Sequence, residues 1–362
     1  MFFKKNIYTC VDIGSYAIKI AQIKNMGDNS FKIIDTVLQK LPRETVIDGI
    51  IKDESLVAAE IKSLFGMLKK NANYIITAVP SNELLIRNVE MPKMDEKEIR
   101  ESLKWEADEQ LPYPVENAAI DFLKVDEDEE VVEYLISAVK KNIVNNYLSP
   151  FERNNYKVDV VNIQPMALVS LLDYQQELEG NIAIIDIGTT TTQVTIANKK
   201  NIILSRTVDT GGNHFTKTLM EIEHDEYRDA EEKKIEQGLE AEKTNSSAES
   251  VEQFQLDSAI GEEKRLNTLA DSLASEITRS FNYFNIKRRG EEISKVFITG
   301  GGARLKGLKK FISEELGREI YIIDIFKNRS YKNDNEEFCY DCNNEFAVAV
   351  GLGISEVMAD ES

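Results

Sequence analysis

Residues 8–15 read YTCVDIGS, an apolar run that ends in Asp12, one more apolar residue, a glycine and a small hydroxyl residue. Residues 182–189 repeat this pattern as IAIIDIGT, so that Asp186 is the counterpart of Asp12. An apolar run that stops at such a polar glycine turn is typical of a buried strand followed by a tight turn. Because the two copies open the two halves of the chain, the sequence predicts a duplicated unit with a cleft between the halves.

After each copy the residues alternate between apolar and polar, at 17–23 and at 192–197, which predicts a second strand after each turn. Elsewhere apolar residues recur at the spacing of a helix. These patterns predict an α/β fold in which short strands alternate with helices. The predicted helices are 54–71, 142–153, 166–178, 266–288 and 305–316, and the other predicted strands are 74–79, 296–299 and 319–325.

A first segment, residues 85–148, is predicted to be inserted into the first half. Asp95 fits the N-cap of a helix there, because its side chain can accept from the free N–H groups of the first turn. On this helix Ile99, Leu103 and Ala107 share one face, which we expect to be buried.

Trp105, the only tryptophan of the chain, lies almost opposite that face at roughly 100° per residue. It is expected either to pack against a neighbouring subdomain or to form the wall of a peptide groove, where aromatic side chains often anchor partners. We assign Leu103 and Pro112 to the same groove.

A second segment, residues 221–264, holds 15 acidic and 5 basic residues, more than half of the net negative charge of the chain. Its middle, 242–258, is rich in Ser, Glu and Gln, which predicts a solvated loop.

The composition excludes several classes of function. Lys and Arg number 44 and Asp and Glu 63, a net charge of −19, which argues against nonspecific nucleic-acid binding and against docking on anionic lipid. The only histidines, His214 and His224, are too few for a His-rich metal site. Cys10, Cys339 and Cys342 are too few for a disulfide framework, so we expect reduced thiols and a cytosolic protein. No apolar run reaches the ~18 residues of a membrane span, and no signal peptide begins the chain.

The paired turns are candidates for phosphate binding. Backbone N–H groups of such a turn point into a concavity that suits an anion, and the glycine allows close approach. Asp12 and Asp186 can each supply an oxygen to Mg²⁺, usually through its waters. A third candidate is the glycine run 300–302, predicted to lead from a strand into a helix whose N-terminus takes phosphate or the face of a base.

These three motifs resemble the two phosphate motifs and the adenosine motif of the actin-like ATPase superfamily, which has duplicated RNase H-like lobes. The resemblance implies that Lys19 reaches a phosphate and that Gln164, at the start of a first connecting helix, orients the attacking water. Residues 346–353 resemble the second connecting helix.

Within the superfamily, residues 211–216 (GGNHFT) and 230–234 (AEEKK) resemble elements of the FtsA and PilM branch, which implies that Glu231 and Lys234 lie near ribose and adenine. Residues 105–114, WEADEQLPYP, closely resemble the PilM family of type IV pilus assembly. This resemblance implies that ATP and Mg²⁺ are cofactors and that ATP hydrolysis is slow. It also implies an extra subdomain of the FtsA and PilM type.

The resemblance divides the chain into four parts and assigns the site. The first lobe is 1–84 with 149–179 and 345–362, the extra subdomain is 85–148, the second lobe is 180–220 with 290–344, and the acidic subdomain is 221–289. Catalytic roles fall to Gln164 and Asp186, and metal binding to Asp12 and Asp186. The nucleotide contacts are Asp12, Gly14, Ser15, Tyr16, Lys19, Gly188, Thr189, Thr190, Gly211, Gly212, Glu231, Lys234, Gly300, Gly301, Gly302 and Arg304.

The implied function is a cytosolic adapter at the inner membrane that binds the N-terminal tail of a PilN-like protein. Pilus motor ATPases are further expected partners, and the resemblance does not decide whether the chain forms a homo-oligomer. One rival is an FtsA-like filament protein of cell division, a branch that carries an amphipathic membrane helix at its C-terminus. This reading is disfavoured because the acidic segment 353–362 would make a poor membrane anchor. The other is a small-molecule kinase, for which we find no further Asp-centred motif.

Overall fold

The structure is a computed structural model that describes residues 7–27, 30–82, 84–199, 201–239, 253–288, 290–327 and 344–359. Most of the predicted acidic loop, and Cys339 and Cys342, lie outside the described residues.

The described strands and helices follow in chain order. The strands are β1 Ile7–Ile13, β2 Ala17–Gly27, β3 Ser30–Lys40, β4 Val46–Ile47, β5 Ile50–Ile51, β6 Ile75–Val79, β7 Leu85–Pro92, β8 Ala118–Glu127, β9 Val131–Lys140, β10 Val158–Ile163, β11 Asn181–Ile187, β12 Thr192–Asn198, β13 Asn201–Val208, β14 Ile293–Thr299 and β15 Ile320–Ile322. The α-helices are α1 Glu54–Met67, α2 Glu96–Gln110, α3 Lys141–Glu152, α4 Gln164–Tyr174, α5 Gly212–Glu223, α6 Tyr227–Gln237, α7 Gln253–Lys287, α8 Leu308–Leu316 and α9 Ala347–Ala359.

Two five-stranded sheets share one topology. The first has the order β10-β6-β1-β2-β3 and the second the order β15-β14-β11-β12-β13, so each strand of one has a counterpart in the other. In the first sheet β1 is antiparallel to β2 and parallel to β6. The prediction of a duplicated α/β fold is confirmed.

The chain divides into two compact units. The first contains residues 1–182, 195–206 and 323–362, and the second contains 183–194 and 207–322. The finer division into four parts stays a prediction.

The inserted segment folds as a small sheet with one helix. Its strands have the order β7-β9-β8, and α2 packs on one face through the buried side chains of Leu103 and Ala107. Asp95 caps α2 by accepting from the backbone N–H groups of Lys97 and Glu98, as predicted. The segment therefore has an apolar cluster of its own.

Several boundaries differ from the predicted ones. The helix α7 begins at Gln253, so residues 253–258 are helical rather than part of a loop, and the Gln and Leu residues of this stretch have favourable helix propensities. The predicted strand 319–325 shortens to β15.

None of the described helices has the length and apolar character needed to cross a membrane.

Helices α4 and α9 pack at a distance that only glycine allows. A Cβ at Gly351 of α9 would lie 2.2 Å from the carbonyl oxygen of Ala167 in α4. At Gly353 a Cβ would lie 2.9 Å from the sulfur of Cys10 in β1. The small residues of α9 therefore set its distance from α4 and from the first sheet.

We predict that Gly351→Ala lowers the free energy of unfolding by about 1–3 kcal/mol, because the added Cβ must push α4 and α9 apart. Gly66→Ala in α1 is the matched control, since a Cβ there meets nothing within 4 Å. It should leave stability unchanged or raise it by up to about 1 kcal/mol. Urea denaturation of both variants checks this, and equal stabilities would contradict the close contact.

Candidate functional site

The first predicted phosphate turn connects β1 to β2. The Gly14 N–H donates to the carbonyl oxygen of Ala17 at 3.0 Å, which closes a tight turn. A Cβ at Gly14 would lie 3.3 Å from that oxygen and 3.4 Å from Lys19 Nζ, closer than most Cβ contacts. Ser15 and Tyr16 lie in the same turn, Ser15 half-buried and Tyr16 more exposed. The predicted residues of this turn therefore form one compact loop.

Asp12, the last residue but one of β1, has only 3% of its surface exposed. Lys19 lies opposite on β2 and its Nζ donates to Asp12 Oδ2 at 2.8 Å, while Gln164 Nε2 donates to Asp12 Oδ1 at 3.2 Å. Because Gln164 is the first residue of α4, this helix is joined directly to the turn. The first unit thus assembles a carboxylate suited to a cation, an ammonium suited to phosphate and an amide that can orient water.

A buried tyrosine accompanies this group. Tyr147 of α3 is almost completely buried, and burial raises the pKa of its hydroxyl, with the negative charge of Asp12 adding to the effect. The sequence did not single out Tyr147. Its spacing of four residues from Ile143 and Phe151 indicates only a buried helix face.

The second turn connects β11 to β12 in the same manner. The Gly188 N–H donates to the carbonyl of Thr191 at 2.9 Å, the counterpart of the bond in the first turn. The carbonyls of Gly188 and Thr189 accept from the N–H groups of Gly212 and Asn213 at 3.0 and 2.8 Å. The start of α5 is therefore fastened to the second turn.

Three glycines from distant parts of the chain meet this turn. Gly300 has a φ of +88°, and a Cβ there would lie 2.3 Å from Asp186 Oδ1. A Cβ at Gly302 would lie 2.5 Å from the side chain of Ile187, and one at Gly211 would lie 2.8 Å from the backbone of the turn. The second unit thus brings together the predicted residues around Asp186, Gly188, Thr189 and Thr190 with both glycine motifs.

The glycine run leads from β14 into a helix, as predicted, although α8 begins at Leu308 rather than at residue 305. Residues Gly301–Arg304 form a single 3₁₀ turn, and α8 begins only at Leu308, because Gly307 has a left-handed conformation. A Cβ at Gly301 meets no atom within 4 Å, so this position faces open space. The glycine run therefore offers bare backbone to a ligand at Gly301.

Glu231 and Lys234 of α6 lie beside the start of α5 and its glycines. Lys234 Nζ donates to Glu231 Oε2 at 2.6 Å, to Thr216 Oγ1 at 2.9 Å and to the carbonyl of Gly212 at 3.3 Å. This pair therefore ties α6 to the first turn of α5, beside the glycines.

His214 has a role there that the sequence analysis did not give it. Its Nδ1 accepts from the backbone N–H of Gly211 at 3.1 Å and so caps α5. An acceptor at the third position of a helix, after a glycine N-cap, is the signal that could have revealed it.

Within the described ranges no three His, Cys, Asp or Glu side chains gather as a metal site. Mg²⁺ is commonly held by one or two carboxylates while water and phosphate oxygens supply the other ligands. Asp12 and Asp186, taken singly, fit that mode of binding.

The predicted partner groove is only partly at the surface. Trp105 is 75% exposed and Pro112 is also exposed, whereas Leu103 is completely buried in the core of the inserted segment. Leu103 lies on the inner side of α2 and is therefore a core residue rather than part of a groove.

Known proteins resemble this chain in fold. The chain of a PilM–PilN type IV pilus biogenesis complex matches with a TM-score of 0.79 at 22% identity, covering 97% of this chain and 98% of that one. MreB 5 of Spiroplasma citri bound to AMPPNP matches with a TM-score of 0.53 at 15% identity, over 99% and 98% of the two chains. These likenesses show an actin-like fold.

Curated sequences and a family model add to this. The cell division protein FtsA of Bacillus subtilis is 23% identical over 59% of this chain and 54% of its own length, and FtsA of Streptococcus pneumoniae is 22% identical over 88% of this chain and 75% of its own length. The chain thus spans about half of the Bacillus subtilis protein. The model described as type IV pilus assembly protein PilM matches residues 10–357. The chain therefore belongs to the PilM family of type IV pilus assembly proteins.

Proposed function

We propose that the chain is a cytoplasmic, ATP-binding adapter of the type IV pilus assembly platform that binds the N-terminal cytosolic tail of a PilN-like inner-membrane protein. The single observation that carries the proposal is the family match over residues 10–357. The similar fold in the PilM–PilN complex supports the choice of partner. The chain is then held at the inner membrane by its partner, and pilus motor ATPases are further candidates for contact.

The two turns support the nucleotide part of the proposal. When bound, ATP with Mg²⁺ supplies a chain of phosphates and a divalent cation. Asp12 and Asp186 would hold the cation, and Lys19 would balance the phosphate charge. Gln164 would orient the attacking water, and ATP hydrolysis would be slow. The other assigned residues would contact phosphate, ribose or adenine through the turns, the glycines and the pair Glu231 and Lys234. The MreB 5 structure that contains AMPPNP supports this assignment.

For the nucleotide part we predict that Gly301→Ala weakens the binding of Mg·ATP at least tenfold and leaves the free energy of unfolding unchanged. The added Cβ meets no protein atom within 4 Å, so it can interfere only with a ligand that lies on the glycine run. Isothermal titration calorimetry with Mg·ATP is the measurement, and Gly66→Ala is the control because its Cβ is equally free. Unchanged ATP affinity in Gly301→Ala would remove the glycine run from the site.

For the partner part we predict saturable binding, micromolar or tighter, between the full chain and a synthetic peptide of the PilN-like tail encoded with it. A peptide of the same composition in scrambled order is the control. Equal heats for the tail and the scrambled peptide would contradict the adapter role.

A second function is favoured by the FtsA relatives, which cover up to 88% of this chain. An FtsA-like protein would form filaments with nucleotide. Sedimentation of the purified chain with Mg·ATP separates the two proposals, because an adapter without filaments stays in the supernatant.

A further inference from the structure

The outward face of α2 carries an unpartnered tryptophan. Trp105 is 75% exposed, while Leu103 and Ala107 on the inner face are buried. Within the described part of the chain, no aromatic ring stacks on Trp105 and no cation lies over it. Exposing so large an apolar ring to water is unfavourable, so its position on an outer helix face points to a partner.

Four carboxylates lie on the same face of α2 as this ring. At roughly 100° per residue, Glu98, Glu101, Asp108 and Glu109 share the outward face with Trp105, and all four are exposed. Asp108 Oδ1 accepts from the backbone N–H of Val115 at 3.3 Å. Glu98, Glu101 and Glu109 form no ion pair with any described residue. The face is therefore negative and open.

The basic residues of α2 lie along one edge of this face. Lys97, Arg100 and Lys104 lie on one flank of the helix, and the Arg100 guanidinium lies 5.0 Å from the centre of the Phe122 ring, over the small sheet. Positive charge on α2 is thus confined to one edge of the surface around Trp105.

We propose that this face, defined as Trp105 with Glu98, Glu101, Asp108 and Glu109, docks a segment of a partner protein that carries arginine. The guanidinium stacks on the indole, and the carboxylates pair with it and with its basic neighbours. The proposal rests on the proposed function, because Trp105 belongs to the predicted partner groove, and it specifies the chemistry of that contact.

Charge complementarity selects this occupant over the others. An anionic membrane would meet four carboxylates on a chain of net charge −19. A second copy would present the same acidic face and the same net charge. Arginine fits better than lysine, because its planar, weakly hydrated group stacks on an aromatic face while its N–H groups still reach carboxylates.

The test uses Trp105 as its own reporter, since the chain has one tryptophan. The full chain is titrated with a synthetic peptide of alternating arginine and serine, and with the same peptide containing citrulline, which has the same shape and no charge. We expect a saturable change in tryptophan emission with the arginine peptide, weakened when salt is raised because exposed charges are screened. The citrulline peptide should give no such change.

The decisive variant is the triple substitution Glu98→Gln, Glu101→Gln and Glu109→Gln, which keeps Trp105 and leaves the Asp108 bond intact. It should bind the arginine peptide at least about fivefold more weakly, given the modest strength of each exposed ion pair. The matched control removes three exposed carboxylates elsewhere in the inserted segment, by Glu116→Gln, Glu129→Gln and Glu130→Gln, and should bind like the wild type.

The outcomes separate this inference from the proposed function. No saturable change, an equal change with citrulline, or equal affinity in the two triple variants would overturn the arginine surface. If the PilN-like tail still binds the wild-type chain by calorimetry in that case, the adapter role stands and only this surface fails. If the arginine peptide behaves as expected while the tail does not bind, the surface stands and its partner is another protein.

Discussion

Close approach of backbone to backbone at a few glycines is the constraint on which the rest of this structure depends. Gly351 brings α9 against the carbonyl of Ala167, and Gly300 and Gly302 bring the loop after β14 against the end of β11. A methyl group at any of these points would occupy space already filled by backbone or by a fixed side chain. The short distance between α4 and α9, and the short distance between the glycine run and the second turn, therefore exist because no side chain separates the backbones at these points.

The first turn depends on charge as well as on space. The buried Asp12 carboxylate is held by Lys19 on the next strand and by Gln164 at the start of α4. A buried carboxylate is stable only when its oxygens are engaged, so the turn, the strand and the helix form one unit. A ligand that draws on Asp12 or Lys19 must change these contacts.

One apolar cluster connects that turn to the inserted segment. Ile13 and Ile18, on either side of the turn, share a buried cluster with Tyr147 of α3 and with Val139 of β9, the central strand of the small sheet. Because α3 begins at the residue after β9 ends, Tyr147 is linked to the small sheet through the chain as well as through this packing. Such contiguous packing is the path along which the proposed nucleotide site and the proposed partner surface would be coupled.

The repeat and the motifs made much of this predictable. The repeated turn predicts two matching sheets, because the order of apolar runs and glycines can be read directly from the sequence. The helix α2 is predicted from its N-cap residue and from the spacing of its buried apolar residues. The helical spacing correctly predicted that Leu103 faces the core, and only its second assignment, to the groove, was wrong, because that one came from the family motif rather than from the helix face. The starts of α8 and α7 were misplaced, because the left-handed Gly307 delays α8 and because the mostly polar residues 253–258 carry no helical apolar period. Tyr147, far from Asp12 in the chain, is brought near it only by tertiary packing.

The most direct test of the account is the affinity of the PilN-like tail for the full chain measured by calorimetry with and without saturating Mg·ATP. If nucleotide and partner are coupled through the first unit, ATP should change the tail affinity by at least about fivefold, and the tail should change ATP affinity by the same factor. Asp12→Ala should abolish the difference. Identical tail affinities in the wild-type chain, with ATP bound in one sample and absent from the other, would contradict the coupling.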